Sequence, residues 1–440
     1  MKAFHLAFAL GLVPFISQGQ HEHHTMEMSS EKSDTVVHTM THAFSRNLPM
    51  NRNGSGTGWM PDETPMYAWM KHTNYWNYML HGAVFFRYNM QNLNNDYHRG
   101  GKQFDVPNWF MGMAQRNVGE RGLLLFRGMF SLDRLTLGGS GYPLLFQSGE
   151  TWKGERLIDK QHPHDLISEL GVAYTHMISK DVDVTAYIGY PGEPALGPTA
   201  FMHRISSMNN PDAPLGHHWQ DASHITFGVA TLGIRYKFLK AEASSFTGRE
   251  PDENRYDFDK PRFDSYSYRI SANPNENLSL QFSQGKLKGP EALEPEEDVT
   301  RTTASALYSG KLSDRRYLSG AVVWGYNNAG GHHKEHSFLL ESNYQHNQWA
   351  IYGRAERIQK SSGELALDQF DDRIFNINAL TLGTNYTFSD VWKTNMAVGV
   401  QATFNKIEND LDDLYGKNPM SAEVYLRVIP QLMQMSKAHH

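Results

Sequence analysis

The sequence predicts an all-β fold, a transmembrane antiparallel up-and-down β-barrel of about 16 strands, within a range of roughly 14 to 18. The first observation is that segments of roughly ten to fifteen residues alternate apolar and polar side chains, which indicates strands. In the segment 422–428, for example, Val424 and Leu426 are separated by Tyr425 and flanked by Glu423 and Arg427. The second observation is that the connections alternate between short and long, which is typical of membrane barrels.

Three domains are predicted along the 440 residues. Residues 1–19 have the pattern of a signal peptide, with Lys2 before an apolar stretch and the small residues Ser17 and Gly19 before the expected cut. Residues 20–65 are polar and lack a period, so we expect a flexible, His/Met-rich periplasmic tail. Residues 66–440 are expected to form the barrel. A signal peptide before a barrel predicts export to a bacterial outer membrane.

The strands are expected in a regular order along the barrel. Their predicted ranges are 74–90, 104–117, 120–133, 166–178, 181–190, a hairpin within 223–248, 264–272, 276–286, 299–311, 316–328, 335–346, 348–359, 373–388, 392–405 and 420–430. In the hairpin 223–248 the alternation changes phase between Val229 and Leu232, which predicts a β-bulge near Ala230. The turns near 119, 180, 239, 274, 313, 347 and 390 are short and the other connections are longer, so we expect the short turns on the periplasmic side.

Composition excludes several classes of protein. A mean hydropathy of -0.55 with 40% hydrophobic residues argues against a helical membrane protein, whereas a barrel needs apolar residues only at alternate positions. The net charge of -6 gives a nucleic-acid partner no electrostatic support. The aromatic content of 12% suits the aromatic girdles of a barrel.

Histidine and methionine are the candidate ligand residues, with 22 and 20 copies respectively and no cysteine. Imidazole and thioether together suit copper, and imidazole alone equally suits zinc or nickel. The densest cluster lies in the tail, at His21, His23, His24, Met26 and Met28. We expect these residues to contact metal ions, the alternative being a polar leader with incidental histidines.

A second group is brought together by the predicted topology. Because the strands on either side of the turn near 180 end at the same rim, the segments before and after them should meet there. The predicted metal ligands are His162, His164, Asp165, Met202, His203, His217, His218 and His224. Asp165 is expected to orient one of the imidazoles. The alternative is a polar network in which the histidines only hydrogen-bond long loops to the barrel mouth. The Gly- and Pro-rich stretch 189–198 is expected to form a constriction loop folded into the barrel.

At the segments 162–165, 189–204, 211–228 and 247–253 the chain resembles a poorly characterised family of Gram-negative outer-membrane proteins. Members of that family tend to occur beside copper-resistance and heavy-metal efflux functions. The resemblance implies a barrel fold and a metal-related context, with periplasmic copper-handling or efflux proteins as partners. It implies no established binding or catalytic residues.

Three functions therefore compete. The leading hypothesis is a barrel that binds or passes metal ions, above all copper, in metal resistance or homeostasis, with outer-membrane lipid and metal ions as its partners. The alternative is a general porin or structural barrel with incidental histidines. An outer-membrane hydrolase built on His164 with Ser207 or Ser223 ranks third, and we expect no enzyme activity and no cofactor other than copper.

Overall fold

The computed structural model describes residues 40–331, 333–367, 369–371 and 373–433. These residues form a closed antiparallel barrel of 16 strands, which confirms the predicted fold class. Neighbouring strands in the sequence pair with one another, and the last strand closes the barrel on the first through Val84–Met90 and residues 422–428. The signal peptide and the ligands predicted at His21, His23, His24, Met26 and Met28 lie outside the described residues.

The strands are β1 (Asn77–Gln91), β2 (in two parts, Gly101–Asp105 and Asn108–Val118), β3 (Gly122–Phe130), β4 (Ile167–Met177), β5 (Val182–Gly189), β6 (Val229–Tyr236), β7 (Leu239–Phe246), β8 (Ser265–Asn275), β9 (Leu278–Leu287), β10 (Val299–Ser313), β11 (Arg316–Ala329), β12 (His333–His346), β13 (Trp349–Ser361), β14 (Ile374–Val391), β15 (Thr394–Lys406) and β16 (Met420–Pro430). A short strand, Trp69–His72, pairs antiparallel with the start of β1. Two small ladders, Tyr142–Pro143 with Lys160–Gln161 and Glu150–Trp152 with Glu155–Leu157, lie between β3 and β4.

The helices are all short. They are α1 (Asp133–Thr136), α2 (His217–Gln220), α3 (Asp412–Tyr415) and the 3₁₀ turns Met50–Arg52, Phe201–His203, Ala222–His224 and Asn409–Leu411. None of the helices in the described ranges has the length and apolar character needed to cross a membrane.

The connections alternate as predicted with one exception: the connection between β11 and β12, expected to be longer, is as short as the short turns. Two to four residues join β2 to β3, β4 to β5, β6 to β7 and the later hairpins at one end of the barrel, while the longer loops lie at the other end. We call these the short-turn end and the long-loop end. The predicted bulge near Ala230 is wrong, because β6 pairs with β5 and β7 without a register shift from Val229 to Tyr236. The change of phase arises because Ile225 and Phe227 precede the strand and are buried in the loop before it.

The outer face of the barrel is apolar. Leu232, Ile270, Val322, Leu340 and Ile351 all point outward and are more than half exposed. Exposed aromatic residues such as Tyr236 and Trp392 lie near the short-turn end, and Phe104 and Tyr266 lie nearer the long-loop end. An apolar belt bordered by aromatic side chains matches the outer surface of a membrane barrel.

The inner face of the barrel is polar, but many of its side chains are buried rather than hydrated. Inward-facing residues such as Glu423, Tyr425 and Arg427 are each at most 2% exposed. A buried charge requires partners, since unpaired burial is costly. Two parts of the chain that fill the lumen supply many of those partners.

The first part is the inner segment, residues 40–65. It was expected to belong to a flexible tail, but here it lies packed against inward-facing side chains. Ser45 Oγ donates to Asp183 Oδ2 at 2.5 Å, Gln115 Nε2 donates to the His42 carbonyl at 2.8 Å, and Arg269 Nη2 donates to Thr57 Oγ1 at 2.7 Å. The sequence of the inner segment has no apolar period because its polar groups pair with a polar barrel wall rather than with a hydrophobic core.

The second part is the inner loop, residues 190–228, between β5 and β6. It folds into the lumen, as the constriction-loop prediction anticipated. The Ala195 and Gly197 amides donate to Ser244 Oγ and Ser283 Oγ, both at 2.8 Å. Gly197 has a φ of +89°, and a Cβ there would lie 2.4 Å from the Gln220 carbonyl oxygen. Only glycine permits this close passage of the loop.

Candidate functional site

The long-loop end carries a cluster of five buried histidines on two connections. His162 and His164 lie in the connection that leads into β4. His217 and His218 lie on α2 of the inner loop, and His224 ends the following 3₁₀ turn. The short turn between β4 and β5 brings the two connections together, as the sequence analysis predicted.

Four of the rings form a closed circuit. The ring centroids of His162 and His164 are 6.3 Å apart, those of His164 and His224 are 5.5 Å apart, and those of His224 and His217 are 5.1 Å apart. The circuit closes between His217 and His162 at 6.4 Å. His218 lies outside it, 5.3 Å from the His217 ring and 5.9 Å from the His162 ring.

The Nδ1 atoms of these rings are held by oxygen acceptors. His164 Nδ1 donates to Asp133 Oδ2 at 2.7 Å, and His217 Nδ1 donates to Asp221 Oδ1 at 2.6 Å. His224 Nδ1 donates to the Asp221 carbonyl at 2.8 Å. Because these acceptors require a proton on Nδ1, the neutral ring carries its lone pair on Nε2.

The Nε2 atoms are buried and largely unsatisfied. In the described part of the chain, the Nε2 atoms of His162, His164, His218 and His224 have no hydrogen-bond partner. Glu150 Oε1 approaches His162 Nε2 to 3.4 Å. An imidazole that donates from Nδ1 to a carboxylate or carbonyl and leaves Nε2 free has the arrangement of a metal-binding histidine.

Burial lowers the pKa of three histidines of the circuit, His162, His217 and His224. It lowers the pKa of His224 to about 3, with the neighbouring His217 and His164 acting in the same direction. The pKa of His162 falls well below its usual value through burial and the charge of Arg255, and the pKa of His217 is lowered by burial despite Asp221. Burial would raise the pKa of Asp221, but His217 and Arg204 outweigh it and the pKa lies below its usual range. Neutral imidazoles beside an ionised Asp221 therefore occupy the site near pH 7.

The nitrogen atoms are spaced more widely than in a closed ligand shell. Among the described residues, the set of carboxylates or imidazoles whose ligand atoms gather within 4.8 Å is Asp252, Asp257 and Asp259, on a mostly exposed loop. The histidine circuit therefore brings neutral ligands close together without forming a compact shell. The assignment of these histidines to a metal stays a prediction.

The structure places the other predicted ligands elsewhere. Asp165 accepts from Arg255 Nη1 at 3.3 Å, and the carboxylates that orient the imidazoles are Asp133 and Asp221. Asp133 lies 31 residues from His164 in the sequence, so no local motif pointed to it. His203 lies apart from the circuit, with its ring centroid 4.6 Å from Trp109, and Met202 packs against a neighbouring group of methionines.

The contacts give the hydrolase alternative no nucleophile and base pair in the described residues. Ser207 Oγ accepts from Arg354 Nη2 at 2.7 Å, and His164 Nδ1 is held by Asp133. Ser223 Oγ is buried and has no hydrogen-bond partner there.

The fold defines a closed antiparallel 16-stranded β-barrel with a filled lumen. No protein-family model and no curated protein sequence matches the chain. Among solved structures, the chain is similar to OmpF of Salmonella typhi in complex with daunomycin, at 11% identity and a TM-score of 0.52, over 82% of this chain and 100% of that chain. An anion-selective porin from Comamonas acidovorans aligns at 11% identity and a TM-score of 0.49, over 81% and 99% of the two chains. The outer-membrane channel DcaP of Acinetobacter baumannii aligns at 9% identity and a TM-score of 0.43, over 83% and 100%. At these identities the likeness concerns the fold.

Proposed function

We propose that this chain is an outer-membrane barrel of the porin type that is closed at rest and conducts small solutes only when the inner loop moves. One observation carries the proposal: Arg204 of the inner loop meets Glu341 of β12 at 2.7 Å, and each is 1% exposed. Charged side chains that line the channel of an open porin are hydrated. Here they are buried against the inner loop, so the path along the lumen is filled.

The resting state is tested by conductance in planar lipid bilayers. The purified chain should show a small current with brief openings, whereas an open 16-stranded porin measured beside it shows steady current. Liposome swelling should rank the two proteins in the same order, with little entry of sugars into liposomes that contain this chain. A steady conductance of porin size from the unmodified protein would show that the lumen is open and would overturn the proposal.

The second candidate function is binding or passage of metal ions, with copper as the leading ion and periplasmic copper-handling or efflux proteins as partners. It is supported by the four buried Nε2 atoms that have no hydrogen-bond partner in the described residues. Most buried polar atoms in native proteins have hydrogen-bond partners, so four unpaired nitrogens in one cluster are available to a ligand. The ordered Nδ1 contacts to Asp133 and Asp221 fit imidazole ligands of a divalent ion.

This candidate is tested by titrating the purified protein with Zn(II) and Cu(II). The double variant His164→Gln/His217→Gln should bind one equivalent less than the unmodified chain, because it removes two opposite corners of the circuit. His176→Gln serves as the matched control, since His176 points outward near the short-turn end. Equal stoichiometry in all three proteins would remove the histidine circuit as a metal site.

A further inference from the structure

A cavity of about 150 Å³ lies inside the lumen, between the barrel wall and the inner loop. Its lining is unusual because six thioethers face it, from Met66, Met79, Met111, Met113, Met202 and Met208. Four histidines, His81, His162, His164 and His203, reach the same space. The cavity therefore shares His162 and His164 with the histidine circuit and adds a group of six thioethers.

The strand wall of the cavity comes from the inner faces of the neighbouring strands β1 and β2. Met79 of β1 is directly opposite Met113 of β2, and His81 is opposite Met111. Met111 is in turn opposite Met129 of β3. Side chains opposite one another on one face of a sheet lie about 5 Å apart at Cβ, so the wall presents a continuous patch of thioethers with one imidazole.

The inner loop covers this patch. The 3₁₀ turn Phe201–His203 places Met202 against the methionine group. The ring centroid of His203 lies 5.7 Å from that of His81. The Nε2 atom of His81 is buried and has no hydrogen-bond partner in the described residues. An apolar core would gain from leucine or phenylalanine at these positions, whereas the unpaired His81 Nε2 among thioethers leaves a polar atom unsatisfied.

The chemistry of the lining selects one class of ligand. Thioether sulfur is a soft, neutral donor that favours Cu(I) over hard cations, and imidazole accepts the same ion. The cost of burying an ion rises with the square of its charge, so a largely neutral cavity discriminates against divalent ions. From this juxtaposition we propose that the cavity binds one soft monovalent cation, Cu(I) or its redox-inert analogue Ag(I), through Met79, Met111, Met113, Met202, His81 and His203.

The site does not depend on whether the barrel conducts. Its proposed ligands differ from those of the histidine circuit, although His162 and His164 line the same cavity. The experiment uses the purified full-length protein in detergent, Ag(I) as the probe, and Met111→Leu/Met113→Leu as the test variant. Exchange of methionine for leucine conserves side-chain volume and is well tolerated in packed cores, so the variant should fold. We expect at least a tenfold loss of Ag(I) affinity with unchanged Zn(II) binding.

Met420→Leu is the matched control, because Met420 lies on the outward face of β16 and should not affect Ag(I) binding. Nuclear magnetic resonance of methionine methyl groups labelled with ¹³C gives an independent readout: Ag(I) should shift the signals assigned to Met79, Met111 and Met113 and leave the Met420 signal in place. Unchanged Ag(I) affinity in the folded double variant, or methyl shifts that spare these three residues, would overturn the proposal.

Discussion

Replacement of Arg87 by methionine should destabilise the barrel by about 5 kcal/mol, the upper part of the range for breaking a buried ion pair. Arg87 is fully buried and faces three carboxylates, with Asp105 Oδ1 at 2.5 Å, Asp212 Oδ1 at 2.6 Å and Glu423 Oε2 at 3.1 Å. The variant would leave three acids in the lumen without their shared cation. Unfolding in urea, followed by tryptophan fluorescence of the protein in lipid vesicles, measures the change.

Arg156→Met provides the control for this prediction. Arg156 meets Glu294 at 2.8 Å, but Glu294 is nearly half exposed, and such pairs contribute about 1 kcal/mol or less. We expect the unfolding midpoint of Arg156→Met to stay close to that of the unmodified chain. If Arg87→Met lowered the stability no more than Arg156→Met does, the partners of Arg87 would be hydrated, contrary to the filled lumen described above.

Replacement of Arg204 by methionine should open the barrel. Arg204 joins the inner loop to the wall through Glu341 at 2.7 Å, and it holds Asp221 Oδ2 at 3.1 Å within the loop. Arg354 of β13 extends the network to Glu341 at 3.2 Å. Without Arg204, the buried Asp221 lacks its cation, and hydration of the lumen becomes the cheaper state. We expect at least a tenfold rise in mean single-channel conductance.

The control for this second prediction is Arg373→Met, which removes a partly exposed pair with Glu408 at 2.9 Å on a loop at the long-loop end. Its conductance should equal that of the unmodified barrel. If Arg204→Met folds and inserts normally but conducts no more than Arg373→Met, the inner loop is held by its other contacts and Arg204 does not control closure.

The strands were predictable because each has one face toward lipid, which imposes an alternation that a single sequence displays. The range predicted for the last strand, 420–430, matches Met420–Pro430, and that for β10 falls two residues short of its end at Ser313. The filling of the lumen was not predictable in the same way. Polar residues such as Ser55 and Thr57 would give the same sequence pattern in a solvated tail. Here they lie in a buried segment and hydrogen-bond to Glu193 and Arg269.

The candidate site shows the same division. The meeting of His164 with His217 and His224 follows from one short turn, which the sequence contains. The pairing of His164 with Asp133 depends on how a long connection folds over the barrel mouth, and no spacing rule encodes that contact. The methionine patch had a readable signal: Met79, His81, Met111, Met113 and Met129 all occupy odd-numbered positions in strands, so each shares the inner face of its strand.

The position of the inner segment has a consequence for the order of assembly. Most of its hydrogen bonds to the wall reach the first half of the barrel, at Gln115 of β2, Asp183 of β5, and Arg269 and Asn273 of β8. Two further bonds come from Ser279 of β9 and Ser309 of β10, and no strand after β10 is needed for these contacts. The segment can therefore dock on the early strands as a partly formed, curved sheet while the later strands are still unpaired. When β1 pairs with β16, the barrel closes around an inner segment that is already bound. The inner segment therefore does not have to thread into a closed barrel.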